Sequence, residues 1–144
     1  MELSDVIEQC SRLGEWAHLA TVSASGQPYV TPVHPCWEGE VLWSMVGTDS
    51  VKAKNVANES RCSYHWQVGP DTEFDSVILW GTGEVSDDLE TKKRLWTGVF
   101  DYDLDAFAPG GPEDSAGTGF LAFHPTKAVV LRQFGMGGRE EWHA

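Results

Sequence analysis

The feature that most constrains the fold is a change of hydrophobic period near the N-terminus. Residues 1–14 form a predicted helix, because apolar side chains recur at helical spacing over residues 3–13. From residue 17 onward the apolar residues alternate at a period of two, in three runs joined by short glycine turns: AHLATVS, PYVTPVHPCW and EVLWSMV. A short helix followed by a β-meander is therefore expected.

The rest of the chain continues this pattern. Further strands are predicted from RCSYHWQV, SVILWGTGEV, GFLAFHP and KAVVLRQ, and helices from VKAKNVANE and LETKKRLWTGVF. Residues 101–119 are rich in Gly, Pro and Asp and show no period, which indicates a long loop, and residues 134–144 form a tail. The expected fold for residues 1–144 is one mainly β domain, a six- to seven-stranded antiparallel barrel with short helices.

Two strands are expected to have irregular backbones. Pro28, Pro32 and Pro35 lie in or beside the second run, and proline has no N–H to donate to a neighbouring strand. That strand should therefore be bulged or lie at a sheet edge. The sequence Gly81-Thr82-Gly83 indicates a bulge or a close backbone approach in a later strand.

Charge and cysteine content narrow the possible partners. The chain has 10 Lys and Arg against 22 Asp and Glu, a net charge of −12, which disfavours nucleic acid and anionic membrane surfaces as partners. No apolar run approaches the roughly 18 residues of a membrane-spanning helix, and the N-terminus is acidic, unlike a signal peptide. The three cysteines form no CxxC pair, as expected of reduced thiols in a cytoplasmic protein.

The segment from Thr48 to Asn55 is the strongest candidate for binding chemistry. Hydroxyl groups of Thr48 and Ser50 precede a helix that carries Lys52 and Lys54 in a chain with few lysines. A helix N-terminus exposes unpaired N–H groups and a partial positive charge, and both suit a phosphate. A serine-capped surface helix with two solvated lysines is the alternative interpretation of the same residues.

A set of short motifs occurs in a fixed order along the chain: Leu19-Ala20-Thr21-Val22, Gly26, Pro28, Pro32-Val33, Ser50, Lys52, Asn55 and Arg61. Their order and spacing resemble the pyridoxamine 5'-phosphate oxidase-like superfamily, the FMN-binding split barrels. The later stretch WGTGEVSDDLETKKRLW, followed by FAPGGPED, is similar to its general-stress-protein branch. The resemblance covers about residues 17–130 and implies a Greek-key split β-barrel.

The resemblance also implies a cofactor site and a partner. It implies a homodimer with two cofactor sites at the subunit interface. Ser50 and Lys52 match the phosphate-binding positions, and the stretch Thr31-Pro32-Val33-His34 matches the one whose backbone lies along the isoalloxazine ring. Trp66 and Trp142 are candidates for packing near the ring or reaching the partner's site.

Departures from the family pattern leave the cofactor open. Arginine is usual where Thr31 stands and threonine where Val46 stands, so FMN phosphate binding is weakened unless Thr48 and Lys54 compensate. The segments around Thr31 and Lys52 are also similar to deazaflavin-dependent relatives, and split barrels also host haem. Vitamin B6 oxidase activity is not expected. The basic residues that hold the substrate phosphate in that family are not evident near the C-terminus, where Arg139 stands almost alone.

The function expected from the resemblance is a flavin-type oxidoreductase, using FMN or a deazaflavin, that acts on a small organic substrate. A non-catalytic carrier of a flavin, a deazaflavin or haem is the alternative, and a dimeric interaction module is a third hypothesis. No catalytic residue is nominated, because such a cofactor carries out the transfer itself. The loop at residues 101–114, with Tyr102 and Phe107, is either a lid or a solvated loop.

No metal site is predicted. His34, Cys36, Cys62 and His65 are residue types that bind metals. Structural zinc sites, however, show tighter paired spacing than these four residues do.

Overall fold

The computed structural model describes residues 1–66 and 69–144, and within them the chain forms three α-helices and eight β-strands. In chain order these are α1 Leu3–Leu13, β1 Ala17–Val22, β2 Pro28–Val33, β3 Cys36–Glu38, β4 Val41–Gly47, α2 Val51–Asn58, β5 Arg61–Trp66, β6 Ser76–Ser86, α3 Leu89–Trp96, β7 Thr118–Arg132 and β8 Gly138–His143. Short 3-10 helices lie at Pro70–Thr72, Leu104–Ala106 and Gln133–Gly135. In the described ranges no helix is both long and apolar enough to cross a membrane.

All the strands belong to one antiparallel sheet, in the order β2-β1-β5-β6-β7-β4-β3, with β8 also paired to β7. β7 is the longest strand and has three partners. Its first residues pair with β4 and its last residues with β8, while β6 follows almost its whole length. The predicted mainly β antiparallel fold is confirmed, with eight strands instead of six or seven.

Three differences account for the strand count. The run PYVTPVHPCW divides into β2 and β3 around His34 and Pro35. The runs GFLAFHP and KAVVLRQ form the single strand β7. Pro125 lies between the residues that pair with β4 and those that pair with β8, so its missing N–H breaks neither pairing. The tail contains β8. Most residues of this strand are exposed and polar, so it has no apolar alternation by which the sequence could predict it.

The predicted irregularities fall in different places. β2 lies at the end of the sheet order, so the edge position is confirmed. Its register with β1 runs from Ala17 opposite Val33 to Val22 opposite Pro28 without a shift, so the prediction of a bulge in β2 is wrong. The register shift of the sheet lies instead between Trp80 and Gly81, as the glycines of β6 indicated.

Two hydrophobic clusters stabilise the molecule. The larger one fills the barrel and includes Leu19, Tyr64, Leu79 and Phe123, each fully buried. The smaller one lies where α3 and the loop after it cover β4 and β7, and its members are Trp43, Leu95, Leu104, Phe120 and Ala122. Apolar burial of this kind is the main favourable term in folding.

The loop at residues 101–119 is more ordered than its composition predicts. It contains the 3-10 helix Leu104–Ala106, and Leu104, Ala108 and Ser115 are buried. The buried Lys92 of α3 donates a hydrogen bond from Nζ to the Ser115 carbonyl oxygen, at 2.7 Å. The loop is thereby attached to the barrel through α3.

A buried aspartate joins α1 to the sheet. Asp75 is 4% exposed and accepts hydrogen bonds from Arg12 at 2.6 Å, from Arg132 at 3.2 Å and from the Gln133 backbone N–H at 3.1 Å. Burial by itself raises the pKa of Asp75, but these donors outweigh it and hold the pKa below the ordinary value of 3.8.

Because the folded-state pKa of Asp75 is lowered, its contribution to stability is complete above the unfolded pKa and is lost as the pH falls through the folded pKa. Asp75→Asn is therefore expected to lower the free energy of unfolding by about 1–3 kcal/mol at neutral pH. The difference from the wild type should shrink below about pH 4. Urea unfolding from pH 3 to 7 measures it, with Asp71→Asn, an exposed site, as control; an equal loss at every pH would contradict the assignment.

Candidate functional site

A cavity of about 420 Å³ opens where the end of β2 faces the first turn of α2. Its volume lies in the range of small-molecule sites. The residues that line it are Glu15, Trp16, Pro32, Val33, His34, Ser44, Met45, Lys52, Tyr102 and Phe107. The cavity is therefore lined by a lysine side chain, a segment of an edge strand and several aromatic rings.

Helix α2 is held in place by two side chains of the sequence motif. The Ser50 hydroxyl accepts a hydrogen bond from the Ala53 backbone N–H at 3.3 Å and donates one to the Gly47 carbonyl oxygen at 2.7 Å. The buried Asn55 donates from Nδ2 to Thr21 Oγ1 on β1, at 3.0 Å. This attachment leaves Lys52 half-buried at the cavity and Lys54 exposed to solvent.

Asn55→Ala should detach α2 from β1, because it leaves the buried Thr21 hydroxyl without this hydrogen bond. We expect a loss of about 1–3 kcal/mol in the free energy of unfolding, measured by denaturant titration. Asn58→Ala, at an exposed position at the end of the same helix, is the control. Equal stability losses in the two variants would show that the Asn55 hydrogen bond has no special role.

Aromatic rings form one wall of the cavity. The His34 ring lies between Trp16 and Tyr102, with ring centroids 4.9 Å and 4.4 Å away. Trp16 is 60% exposed and Phe107 68% exposed. Burial, with a smaller effect from Cys36 and Asp101, raises the pKa of Tyr102 to about 12, so its hydroxyl stays protonated. Exposed rings beside a cavity suit a planar, partly apolar ligand.

A second cavity, of about 460 Å³, shares the lining residues Glu15 and His34 with the first. Trp66 lines it, is 2% exposed and donates a hydrogen bond from Nε1 to the Gly14 carbonyl oxygen at 3.2 Å. Cys36 and Asp101 also line it. Burial is the main cause that raises the pKa of the Cys36 thiol, to about 11.

The structure brings together four of the ten predicted cofactor residues, namely Pro32, Val33, His34 and Lys52. Thr31, Thr48, Ser50 and Lys54 are near this cavity along the chain, but their side chains do not line it. Trp66 belongs to the second cavity. Trp142 lies on β8, opposite Ala128, and packs against the main core of its own chain. The cofactor roles of these residues stay predictions.

Four lining residues were not predicted, namely Glu15, Trp16, Ser44 and Met45. Ser44 and Met45 belong to β4, where three consecutive residues are buried, so no local pattern distinguishes them. Trp16 is a large aromatic residue between a predicted helix and a predicted strand. The sequence alone gives no reason to place such a residue at a binding site and not in the core. Tyr102 and Phe107 do lie at the cavity, where the lid hypothesis for their loop needs them.

Comparison with known proteins identifies one family and solved structures of the same fold. A family model described as "Pyridoxamine 5'-phosphate oxidase" matches residues 4–128. A comparison with curated proteins found no match. A protein related to general stress protein 26, from Clostridium acetobutylicum, is 18% identical, with a TM-score of 0.78 over 99% of this chain and 96% of that one.

The descriptions of other solved structures with this fold name different cofactors. A pyridoxamine 5'-phosphate oxidase-related, FMN binding protein from Nostoc punctiforme is 18% identical, with a TM-score of 0.69 over 97% of this chain and 86% of that one. An F420 reductase is 24% identical, with a TM-score of 0.60 over 78% and 87%. A haem binding protein from Mycobacterium smegmatis is 16% identical, with a TM-score of 0.76 over 99% and 58%. These likenesses show the split-barrel fold and leave the cofactor of this chain open.

Proposed function

This chain belongs to the pyridoxamine 5'-phosphate oxidase family, and on that premise we propose that it is an oxidoreductase that binds FMN or a deazaflavin and acts on a small organic substrate. The observation that carries the proposal is the cavity in which Lys52 meets the strand segment Pro32, Val33 and His34. These residues come from two separate motifs, one at residues 31–34 and the other at residues 48–55. Their meeting at one cavity is what a shared ligand requires.

The residues of the cavity fit such a cofactor. Lys52 supplies a positive charge for a phosphate in a chain of net charge −12. The rings of Trp16, Tyr102 and Phe107 supply apolar surface for a tricyclic ring. In the described part of the chain, the buried Thr31 Oγ1 on the same edge strand has no hydrogen-bond partner, although its side chain does not line the cavity.

The chain's own groups would bind and orient the cofactor. Lys52 would form a charge-assisted hydrogen bond to the phosphate. Because β2 is at the edge of the described sheet, backbone groups at Val33 and His34 can bond a ring system in place of a further strand. Aromatic side chains would exclude water from the ring. The bound cofactor would supply hydride or electron transfer.

The phosphate contacts of the site fit FMN and a deazaflavin alike. Val46 is 3% exposed within the main core, so this position offers no contact to a phosphate. Ser50 is engaged in capping α2, and Lys54 points to solvent. Lys52 is then the main phosphate ligand, which is compatible with either cofactor.

Vitamin B6 oxidation is not proposed. That reaction requires basic residues for a substrate phosphate, and Arg139 is the candidate near the C-terminus. Its guanidinium is 2.7 Å from Glu141 on the same strand, so its charge is already paired.

We propose that the protein works as a homodimer. Tyr29 and Val30 on the edge strand β2, and Trp80 on β6, are exposed apolar residues that a second copy can cover. Size-exclusion chromatography with light scattering tests this proposal, and a monomeric mass across micromolar concentrations would exclude it.

Turnover distinguishes the oxidoreductase from a carrier. Purified protein loaded with FMN or a deazaflavin should transfer electrons from a chemical reductant to a panel of small organic acceptors, with repeated turnover under anaerobic conditions. Stable cofactor binding without turnover on any acceptor would favour the carrier function, which the haem binding neighbour also supports.

A further inference from the structure

We propose that His34, Cys36 and Asp101 form a binding site for a divalent transition-metal ion beside the cofactor cavity. One ligand atom from each residue lies within 4.8 Å of the other two. His34 Nε2 is 2.9 Å from Asp101 Oδ1, and Cys36 Sγ is 3.5 Å from the same oxygen. The metal site and the proposed flavin site are separate functions, and neither requires the other.

The spacing of these atoms suits a tetrahedral ion. Zinc binds imidazole nitrogen and carboxylate oxygen at about 2.0 Å and thiolate sulfur at about 2.3 Å, so neighbouring ligand atoms lie about 3.3–3.8 Å apart. The separations in this cluster bracket those values. Small movements of exposed Asp101 on its loop would complete the geometry.

The donor types select the class of metal. Imidazole, thiolate and carboxylate together favour Zn²⁺ and similar borderline ions, whereas Mg²⁺ and Ca²⁺ prefer oxygen ligands alone. Three protein ligands leave a fourth position open, as in zinc sites that hold a water or a substrate. His34, Cys36 and Asp101 all line the cavity of about 460 Å³, as Glu15 does, so a fourth ligand can reach the ion from that cavity.

The imidazole is already held in place for binding. In the described residues, His34 Nε2 is buried with no aligned hydrogen bond, although Asp101 Oδ1 lies close to it. The Trp16 and Tyr102 rings pack on the imidazole and restrain its orientation. A buried nitrogen without an aligned partner is costly, and a metal ion would satisfy it.

Sequence spacing could not reveal this cluster. His34 and Cys36 flank Pro35, but Asp101 comes from the loop after α3 and is distant from both in the sequence. Cys62 and His65, the other two residues of metal-binding type considered from the sequence, do not belong to the group. The correct third ligand is identified only by the packing of that loop on β3 and β4.

Binding would exchange a proton for a metal–sulfur bond. The Cys36 thiol releases its proton to solvent, its sulfur coordinates the ion, and no electron is transferred. The cofactor contacts proposed at His34 are made by its backbone, so its imidazole nitrogen stays available to the metal.

Cobalt titration of the full chain, after treatment with a chelator, tests the site. Co²⁺ should bind at one ion per chain with a thiolate-to-cobalt charge-transfer absorption, and Zn²⁺ should displace it. Cys36→Ser should abolish that absorption, and Cys62→Ser, a buried thiol outside the cluster, should leave it unchanged. Asp101→Asn, at an exposed position, should weaken binding by more than about 10-fold.

Three results would overturn the proposal. They are an absence of saturable Co²⁺ binding by the wild-type chain, an absorption that survives Cys36→Ser, and an affinity unchanged in Asp101→Asn. If Cys36→Ser fails to fold, as circular dichroism would show, the Asp101→Asn titration decides the question alone.

Discussion

Lys52→Ala is expected to weaken the binding of FMN by roughly 10- to 150-fold. A charge-assisted hydrogen bond to a phosphate contributes about 1.5–3 kcal/mol, and each 1.4 kcal/mol corresponds to a factor of ten in affinity. Lys52 is half-buried at the cavity, and neither Ser50 nor Lys54 is placed to replace its charge. Quenching of flavin fluorescence during titration of the chain measures the affinity; if the chain selects a deazaflavin, the same titration applies.

Lys54→Ala is the matched control for this prediction. It removes the same charge from the same helix, but Lys54 is exposed and does not line the cavity. Its affinity for the cofactor should stay within about twofold of the wild type, since screening reduces the effect of a distant surface charge. Equal losses in both variants would indicate a general effect of charge and would remove Lys52 from the site.

Gly81→Ala should cause the largest loss of stability among single substitutions in the sheet. A Cβ at this position would lie 2.2 Å from the His124 carbonyl oxygen, which belongs to the backbone of the neighbouring strand β7. Backbone cannot rotate away as a side chain can, so the β6–β7 pairing must separate locally. We expect a loss of about 3 kcal/mol or more in the free energy of unfolding, at or beyond the usual range for overpacking.

Gly117→Ala is the control, because no atom lies within 4 Å of a Cβ built there. Its free energy of unfolding should stay within about 0.5 kcal/mol of the wild type. Urea titrations of the three proteins, followed by tryptophan fluorescence, provide the comparison. A Gly81→Ala protein as stable as Gly117→Ala would contradict the close approach of β6 and β7.

The sequence predicted the elements well where one face is buried. The three helices and the alternating strands β1 and β6 follow from hydrophobic spacing, because core burial imposes that spacing on them. The short strand β3 and the exposed strand β8 could not be found in this way. α3 ends at Trp96, although the sequence predicted a helix as far as Phe100. Gly98, two residues after the observed end, adopts a φ of 89°, which a continuing helix does not allow.

The site was predictable in its local parts and unpredictable in its assembly. Lys52 and the segment Pro32-Val33-His34 were found because each belongs to a short motif. Trp16 joins them only through the packing of α1 and β1, and Asp101 through the packing of the loop on β3 and β4. Such contacts depend on the whole fold, which no local pattern in one sequence specifies.

The cavity between β2 and α2 is proposed to bind a flavin-type cofactor. Equilibrium titration of the ligand-free chain with FMN, with a deazaflavin and with haem, each followed by its own absorbance, tests this proposal. We expect saturable binding of FMN or the deazaflavin at one molecule per chain, weakened by Lys52→Ala and changed no more than about twofold by Lys54→Ala. Binding of haem alone, or no saturable binding of any of the three, would contradict it.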